Sequence, residues 1–132
     1  MLKLARIAAG AINPVIWIGS SRDDLRRLSE AVQDEIGYAL YFAQRNRRHP
    51  SAKPLKGFGG AGVLEIIRSD SGGTYRAVYT VKFAEVVYVL HVFQKKSKKG
   101  SQTPKTDVNL IHRRLAVAAA HYCEHKRETH GP

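Results

Sequence analysis

The chain has 132 residues, of which 43% are apolar, enough for one domain with a hydrophobic core and too few for two. Its 22 Lys and Arg residues outnumber 11 Asp and Glu residues, and the formal net charge of +11 favours polyanionic partners, nucleic acid first. The single cysteine, Cys123, excludes an intramolecular disulfide, and Pro14 interrupts the apolar N-terminal stretch before it reaches membrane-spanning length. We therefore expect a cytoplasmic protein with neither a signal peptide nor a membrane span.

The first third of the chain predicts a strand followed by a helical region. Residues 15–18 are Val-Ile-Trp-Ile, which favour a pleated, half-buried strand. Ser20 and Ser21 each stand three residues before an aspartate, a pattern typical of a helix start. Gly37 is interpreted as a break between two helical pieces, because glycine disfavours a helix interior. Apolar residues at helical spacing predict a face that packs on a sheet: Leu25, Leu28, Val32, Ile36 and Ala39.

The rest of the chain predicts three strands and a final helix. Residues 63–69, 74–82 and 86–94 read as an antiparallel meander joined by turns at 70–73 and 84–85, with the last strand central and most buried. Residues 45–62 are expected to be a loop region. Thr103 and Pro104 open a helix with one apolar stripe: Val108, Ile111, Leu115, Ala119 and Tyr122.

The predicted fold class is therefore α+β. It comprises an N-terminal strand and helical region, a three-stranded antiparallel meander, and a C-terminal helix packed on the sheet. Residues 1–13 are expected to form an N-terminal extension, 14–125 a single domain, and 126–132 a frayed tail.

The positive charge is concentrated in the predicted sheet and in the loop that follows it. Residues 53–114 hold 12 Lys and Arg against 4 Asp and Glu, a net charge of +8, whereas residues 1–52 carry +3 and 115–132 carry 0. A basic tail would place the excess at a terminus. The distribution favours a phosphate-binding surface, and the alternative is a merely solubilising one.

Four segments in order carry a resemblance to a known family. They are Pro54-Leu55-Lys56-Gly57, residues 63–68 (Val-Leu-Glu-Ile-Ile-Arg), residues 75–79 (Tyr-Arg-Ala-Val-Tyr), and residues 90–96 (Leu-His-Val-Phe-Gln-Lys-Lys) before a Lys-rich loop and Pro104. Over residues 14–122 the chain resembles the phage-derived, HigB-like branch of the RelE/ParE toxins. The N-terminal 13 residues fall outside the resemblance.

The resemblance implies a RelE-like fold and the toxin of a type II toxin–antitoxin pair. Such a toxin is an endoribonuclease that cleaves mRNA, usually in the ribosomal A site, and needs no metal ion or other cofactor. The family mechanism activates a ribose 2′-OH to attack the adjacent phosphate. The implied partners are mRNA, the ribosome and a helix-turn-helix, HigA-like antitoxin, whose inhibitory segment we expect to be acidic.

Four cationic residues are the candidate catalytic set. Arg68 and Arg76 lie on neighbouring predicted strands and are expected to converge on one phosphate, which guanidinium groups bind bidentately. The alternatives are that Arg68 pairs with Glu65 or Asp70 and that Arg76 merely flanks the sheet. Lys95 and Lys96 follow the last strand, where one can act as general base only if its pKa is lowered substantially.

Four further residues are candidates for RNA binding. Lys98 and Lys99 lie in the loop after the last strand and are expected to contact phosphates, and Lys56 is expected to reach the same surface. Tyr79 is a candidate for stacking on a base. The alternatives are a solvated loop for the lysines and a place in the core for Tyr79 and Phe93.

Other polar residues have structural explanations beside functional ones. Glu65 can orient an arginine or accept a proton, although a structural ion pair is the stronger interpretation. His91 is a conceivable acid or base, against a hydrogen-bonded core histidine. His121, Cys123 and His125 resemble a metal set, but Cys123 points away from the helix face that the two histidines share, so no metal site is predicted.

Two other classes of function remain open at this stage. ParE-like relatives share the fold and target DNA gyrase without hydrolysis, so fold alone does not decide. A basic nucleic-acid-binding module without catalytic residues is the third possibility. The extended cationic loop favours RNA.

Overall fold

A computed structural model describes residues 12–59, 62–95 and 103–129. The order of elements in this part of the chain is β1 (Val15–Trp17), α1 (Ser21–Arg26), α2 (Glu30–Gln44), β2 (Ala52–Pro54), β3 (Val63–Asp70), β4 (Gly73–Thr80), β5 (Val87–Lys95) and α3 (Lys105–Thr129). The predicted α+β class is confirmed.

The five strands form one sheet in the order β1-β5-β4-β3-β2. Strands β3, β4 and β5 make the predicted antiparallel meander, and β1 pairs in parallel with β5. The short strand β2 joins the other edge, antiparallel to β3, where the sequence predicted only a loop. The central position belongs to β4 and not to β5 as predicted, because β5 and β1 lie on one side of β4 and β3 and β2 lie on the other.

Helices cover both faces of the sheet, and each face has its own core. Side chains of α2 such as Val32, Ile36 and Leu40 pack with Ile66 and Tyr79 on one side. On the other side α3 contributes Ile111 and Ala118, which pack with Val78, Tyr88 and Leu90. The predicted apolar stripe of α3 is correct except that Ala118, not Ala119, is buried. The helix continues to Thr129, beyond the expected end of the domain at 125.

The helical region breaks earlier than predicted. Helix α1 ends at Arg26, and Ser29 begins α2 by accepting a hydrogen bond from the Val32 amide at 3.2 Å. Gly37 lies inside the continuous helix α2. The helix therefore tolerates its glycine, and a capping serine sets the boundary instead.

A β-bulge in β5 sets the direction of His91. Val78 pairs with His91 and Tyr79 with Val89, so Leu90 is the extra residue between them. Both Leu90 and His91 are buried on the α3 side. Among the described residues, no helix combines the length and apolar character needed to cross a membrane.

Candidate active site on the α3 side of the sheet

The strand register brings five charged or histidine side chains to the face of the sheet that α3 covers. Directly paired residues of an antiparallel sheet point to the same side, and side chains alternate along each strand. Lys53 pairs with Glu65, Glu65 with Val78 and Val78 with His91, which makes one row across four strands. Arg76 lies on the same face because it is two residues before Val78, and Lys95 lies there because it pairs with Thr74. We call this set the polar cluster: Lys53, Glu65, Arg76, His91 and Lys95.

Arg76 lies at the centre of the polar cluster and is almost fully buried, with 1% of its side chain exposed. Its Nη1 donates to Glu65 Oε2 at 2.8 Å and to Thr103 Oγ1 at 3.0 Å. Glu65 is also buried, so the two charges compensate each other away from water. Thr103, just before α3, stands over the guanidinium, and a phosphate that contacts Nη1 there must take the place of its hydroxyl.

His91 and Asp107 form the second polar contact between the sheet and α3. The His91 Nε2 lies 2.7 Å from Asp107 Oδ1, and the His91 ring stacks on Phe93 with centroids 4.4 Å apart. Burial lowers the pKa of His91, and the hydrogen bond to Asp107 opposes this effect. A neutral His91 donates from Nε2 to the carboxylate, which leaves Nδ1 as a buried acceptor without a hydrogen-bond partner in the described residues. Of the two interpretations of His91, the structure therefore shows the hydrogen-bonded histidine in the core.

Lys95 is the last residue of β5 and pairs with Thr74, two residues before Arg76 on β4. It is half-buried and shares the face of Arg76, so the structure brings these two predicted catalytic residues together. The other lysines of the loop, Lys96, Lys98 and Lys99, lie outside the described residues.

Arg68 and Arg76 do not converge, because they point to opposite faces of the sheet. Arg68 pairs with Tyr75, whereas Arg76 pairs with Ile67. Arg68 and Ile67 are neighbours on β3, and neighbouring side chains on a strand point to opposite faces. Arg68 instead donates from Nε and Nη2 to the two carboxylate oxygens of Glu35, both at 2.7 Å. This contact raises the pKa of Arg68 and lowers that of Glu35. The suggested partners Glu65 and Asp70 were therefore wrong, and the partner comes from α2.

Tyr79 lies in the core on the α2 side of the sheet, with none of its surface exposed. Of the two interpretations of Tyr79, the structure therefore shows the place in the core and not the stacking surface. Burial raises the pKa of its hydroxyl to about 12. In this structure no base can stack on its ring.

Lys56 is exposed, but it leaves the sheet at the end opposite Lys95. The Leu55 amide bonds to the Val63 carbonyl, at the start of β3, whereas Lys95 lies beside the start of β4. The glycine-containing loop that begins at Lys56 turns toward α3, where Phe58 stacks on His112 with centroids 4.0 Å apart. The structure thus does not place Lys56 beside the Lys95 end of the sheet.

Lys53 is the member of the polar cluster that sequence reasoning missed. Pro54 follows it, and the segment was predicted to be a loop, in which side chains do not alternate between two faces of a sheet. The available signal in the sequence was the apolar Ala52 beside the charged Lys53, a two-residue pattern too short to identify a strand.

The described residues form a small α+β domain with a polar cluster on the α3 side of its five-stranded sheet. Residues 23–116, more than half of the chain, match the family described as Phage derived protein Gp49-like (DUF891), and the chain belongs to this family. No curated protein matches it.

Two solved structures are similar to this chain at low sequence identity, and the first of them shows the same fold. A doubly substituted variant of the E. coli toxin RelE in the free state is 22% identical with a TM-score of 0.50, over 66% of this chain and 87% of that one. The toxin–antitoxin complex RelBE2 from Mycobacterium tuberculosis is 22% identical with a TM-score of 0.45, over 64% of this chain and 100% of that one. Identity this low shows a shared fold and nothing about shared chemistry.

Proposed function

We propose that this chain is the toxin of a type II toxin–antitoxin pair, of the HigB-like kind, and that it cleaves mRNA on the ribosome without a metal ion. The observation that carries the proposal is the position of Arg76, held by Glu65 at the centre of a RelE-like sheet and on the same face as Lys53 and Lys95. Membership of a phage-derived family and the fold shared with a RelE toxin support it.

In the proposed reaction the ribose 2′-oxygen attacks the adjacent phosphorus, and the 5′-oxygen of the next nucleotide leaves. A base takes the 2′-OH proton, and an acid protonates the leaving oxygen, so the products are a 2′,3′-cyclic phosphate and a 5′-hydroxyl end. Negative charge grows on the phosphate oxygens in the transition state. Positioned cations are the means by which a protein stabilises such charge.

The proposal gives Arg76 and Lys95 the role of stabilising the phosphate. Arg76 remains charged when desolvated, and its contact with Glu65 fixes the direction of the guanidinium before RNA arrives. RNA must displace Thr103 to reach Nη1. Lys95, at the end of the strand and half-buried, is positioned to contact the same phosphate, and either Lys95 or Lys96 is proposed as the base.

The proposed partner is a helix-turn-helix, HigA-like antitoxin that silences the toxin in the cytoplasm. A protein with a net charge of +11 favours an acidic inhibitory segment. A short open reading frame for such a protein next to this gene is the expected arrangement.

The test is inducible expression with growth measurements and mapping of 5′-hydroxyl ends in cellular mRNA. The wild type should arrest growth and create new ends. Lys95→Ala should lower cleavage about 100-fold, the usual effect of removing one group that stabilises transition-state charge. Arg26→Ala, an exposed arginine on α1, is the matched control and should remain fully active.

Arg76 needs a milder substitution, because Arg76→Ala leaves Glu65 buried without its partner and should cost about 3–5 kcal/mol of stability. Arg76→Lys retains the charge but loses the planar guanidinium, and it should reduce cleavage while the circular-dichroism melt stays cooperative. Growth arrest with intact mRNA contradicts the proposed nuclease, whereas full cleavage by Lys95→Ala contradicts the role proposed for Lys95.

A further inference from the structure

A cleft of about 450 Å³ opens at the other end of the sheet from Lys95. It lies between the C-terminal end of α2, the start of β3 and the β4–β5 connection. Its walls are mainly aliphatic and include Pro54, Leu64, Val81 and Val86. The volume falls within the range of about 300–1,000 Å³ that is typical of binding pockets.

Two exposed arginines stand at this cleft. Arg47 and Arg48 follow α2 and both line the opening. Arg48 donates from Nε to the Ala52 carbonyl at 3.2 Å, which holds its guanidinium against the sheet edge. Glu85 lines the cleft from the β4–β5 connection. The cleft thus combines an apolar interior with cations on one side and one carboxylate on the other.

The backbone around the cleft is strained at two positions. Asn46 has φ 61° and Glu85 has φ 71°, and these are the non-glycine residues with positive φ in the described part of the chain. Both line the cleft. Asparagine tolerates this conformation, but glutamate does so at a cost, and such strain is concentrated at functional sites. The side chain of Asn13 fixes the α2 side by donating to Asn46 Oδ1 at 2.9 Å.

We infer that this cleft binds a segment of a partner protein in which bulky aliphatic residues are flanked by Asp or Glu. The aliphatic residues would fill the apolar interior, and the flanking carboxylates would pair with Arg47 and Arg48. Arginine suits this role because it forms bidentate contacts with carboxylates. The inference does not depend on RNA cleavage.

The lining favours a peptide over RNA. Phe83 is the aromatic residue among the described lining residues, and its ring already contacts Tyr88 and Tyr122, with centroids 5.6 and 5.1 Å away. Base recognition in single strands uses available aromatic faces. The carboxylate of Glu85 also repels phosphate, whereas the backbone amides of a peptide can donate hydrogen bonds to it.

The test is a titration of the ¹⁵N-labelled full chain, followed by NMR, with the peptide Glu-Asp-Leu-Val-Leu-Asp-Glu. Saturable shifts are expected at the amides of Asn46, Arg47, Val81 and Glu85. The peptide Glu-Asp-Gly-Ser-Gly-Asp-Glu has the same charge without the apolar residues and should bind at least about tenfold more weakly.

Variants separate the cleft from general electrostatics. Arg47→Glu and Val81→Glu, both at exposed positions, should each weaken binding at least about tenfold, whereas Arg22→Glu makes the same charge change as the first on α1 and should not. A melt by circular dichroism verifies that each variant is folded. The inference is overturned if millimolar peptide gives no saturable shifts, if Arg22→Glu weakens binding equally, or if a uridine hexanucleotide binds the cleft more tightly than the peptide.

Binding at the cleft can fail without affecting the proposed nuclease, and the reverse also holds. Arg47→Glu should leave mRNA cleavage unchanged, because Arg47 lies outside the polar cluster. Lys95→Ala should leave peptide binding unchanged for the same reason.

Discussion

His91 joins the sheet to α3 through a contact that depends on its protonation. The groups around it are Asp107 at 2.7 Å and the charges of Arg114 and Asp24, and desolvation is the largest influence on its pKa. The neutral ring satisfies Asp107 with one N–H and keeps its second nitrogen unprotonated inside the core. Protonation of His91 adds an N–H at the buried Nδ1, where the described residues offer no acceptor.

We predict that His91 makes the protein less stable in mild acid. Because burial lowers the folded-state pKa below the unfolded value of about 6.5, the unfolded chain binds the proton more readily. The contribution of His91 is therefore complete above the unfolded pKa and decreases as pH falls through it toward the folded value. Urea unfolding at pH 7.5 and pH 5.5 measures this loss.

His91→Gln is the comparison for this experiment, because glutamine does not titrate in the range. The other histidines are present in both proteins, so their influence cancels in the difference between the two unfolding free energies. This difference should be smaller at pH 5.5 than at pH 7.5. A difference that grows in acid would mean that the Asp107 contact, and not burial, controls the pKa of His91.

The two arginines show how far single residues could be predicted. Both were correctly placed on strands of one hairpin, but their faces depend on the register, and the register depends on the turn. Asp70 pairs with Gly73 across a two-residue turn, which fixes Arg68 opposite Tyr75 and sends Arg76 to the other side. The ion pair of Arg68 with Glu35 spans 33 residues, and no local pattern specifies it.

At the scale of single elements, Gly37 offers a direct test of helix α2. It lies at an exposed position in the middle of the helix, and a Cβ placed on it meets no atom within 4 Å. Gly37→Ala should therefore stabilise the protein by roughly 0.5–1 kcal/mol, because alanine loses less conformational freedom on folding. The measurement is the midpoint of urea unfolding.

Gly19→Ala is the matched control, with the opposite expectation. Gly19 has φ 59°, and a Cβ there would lie 2.8 Å from the guanidinium carbon of Arg114. This variant should be less stable than the wild type. If Gly37→Ala also lowers stability, the exposed face of α2 is covered by something other than solvent.

Element type was easier to predict than element boundaries. Long periodic segments such as α3 and β5 were recognised because hydrophobic burial dictates their pattern. The boundary at Ser29 was not predicted, because glycine disfavours a helix interior more than serine does, and Gly37 therefore indicated the break more strongly. Strand β2 has only three residues, and its pairing with β3 compensates for a segment with little strand character of its own.

At the scale of the whole molecule, the charge of +11 acts on every phosphate, but only some cations should contact the RNA. We predict that binding to single-stranded RNA weakens steeply with salt. Each lost phosphate contact should reduce the slope of log affinity against log salt by about 0.7. Lys53→Ala and Lys95→Ala should each show this reduction, measured by fluorescence anisotropy at several salt concentrations.

Arg22→Ala removes the same charge from α1 and should leave the slope unchanged. An equal reduction in this variant would mean that a diffuse field, and not the α3 side of the sheet, binds the RNA. The composition alone predicted a polyanionic partner, whereas the face could be assigned only from the strand register.

The parallel pairing of β1 with β5 also constrains the order in which the protein can form as it is synthesised. Val15 pairs with Val87, and the Val87 amide bonds to the Pro14 carbonyl, so β1 has no partner strand until β5 has been synthesised. Helix α3 emerges later still, and Thr103 and Asp107, which contact Arg76 and His91, arrive with it. Arg76 and His91 therefore lack their contacts with Thr103 and Asp107 until the start of α3 has followed β5.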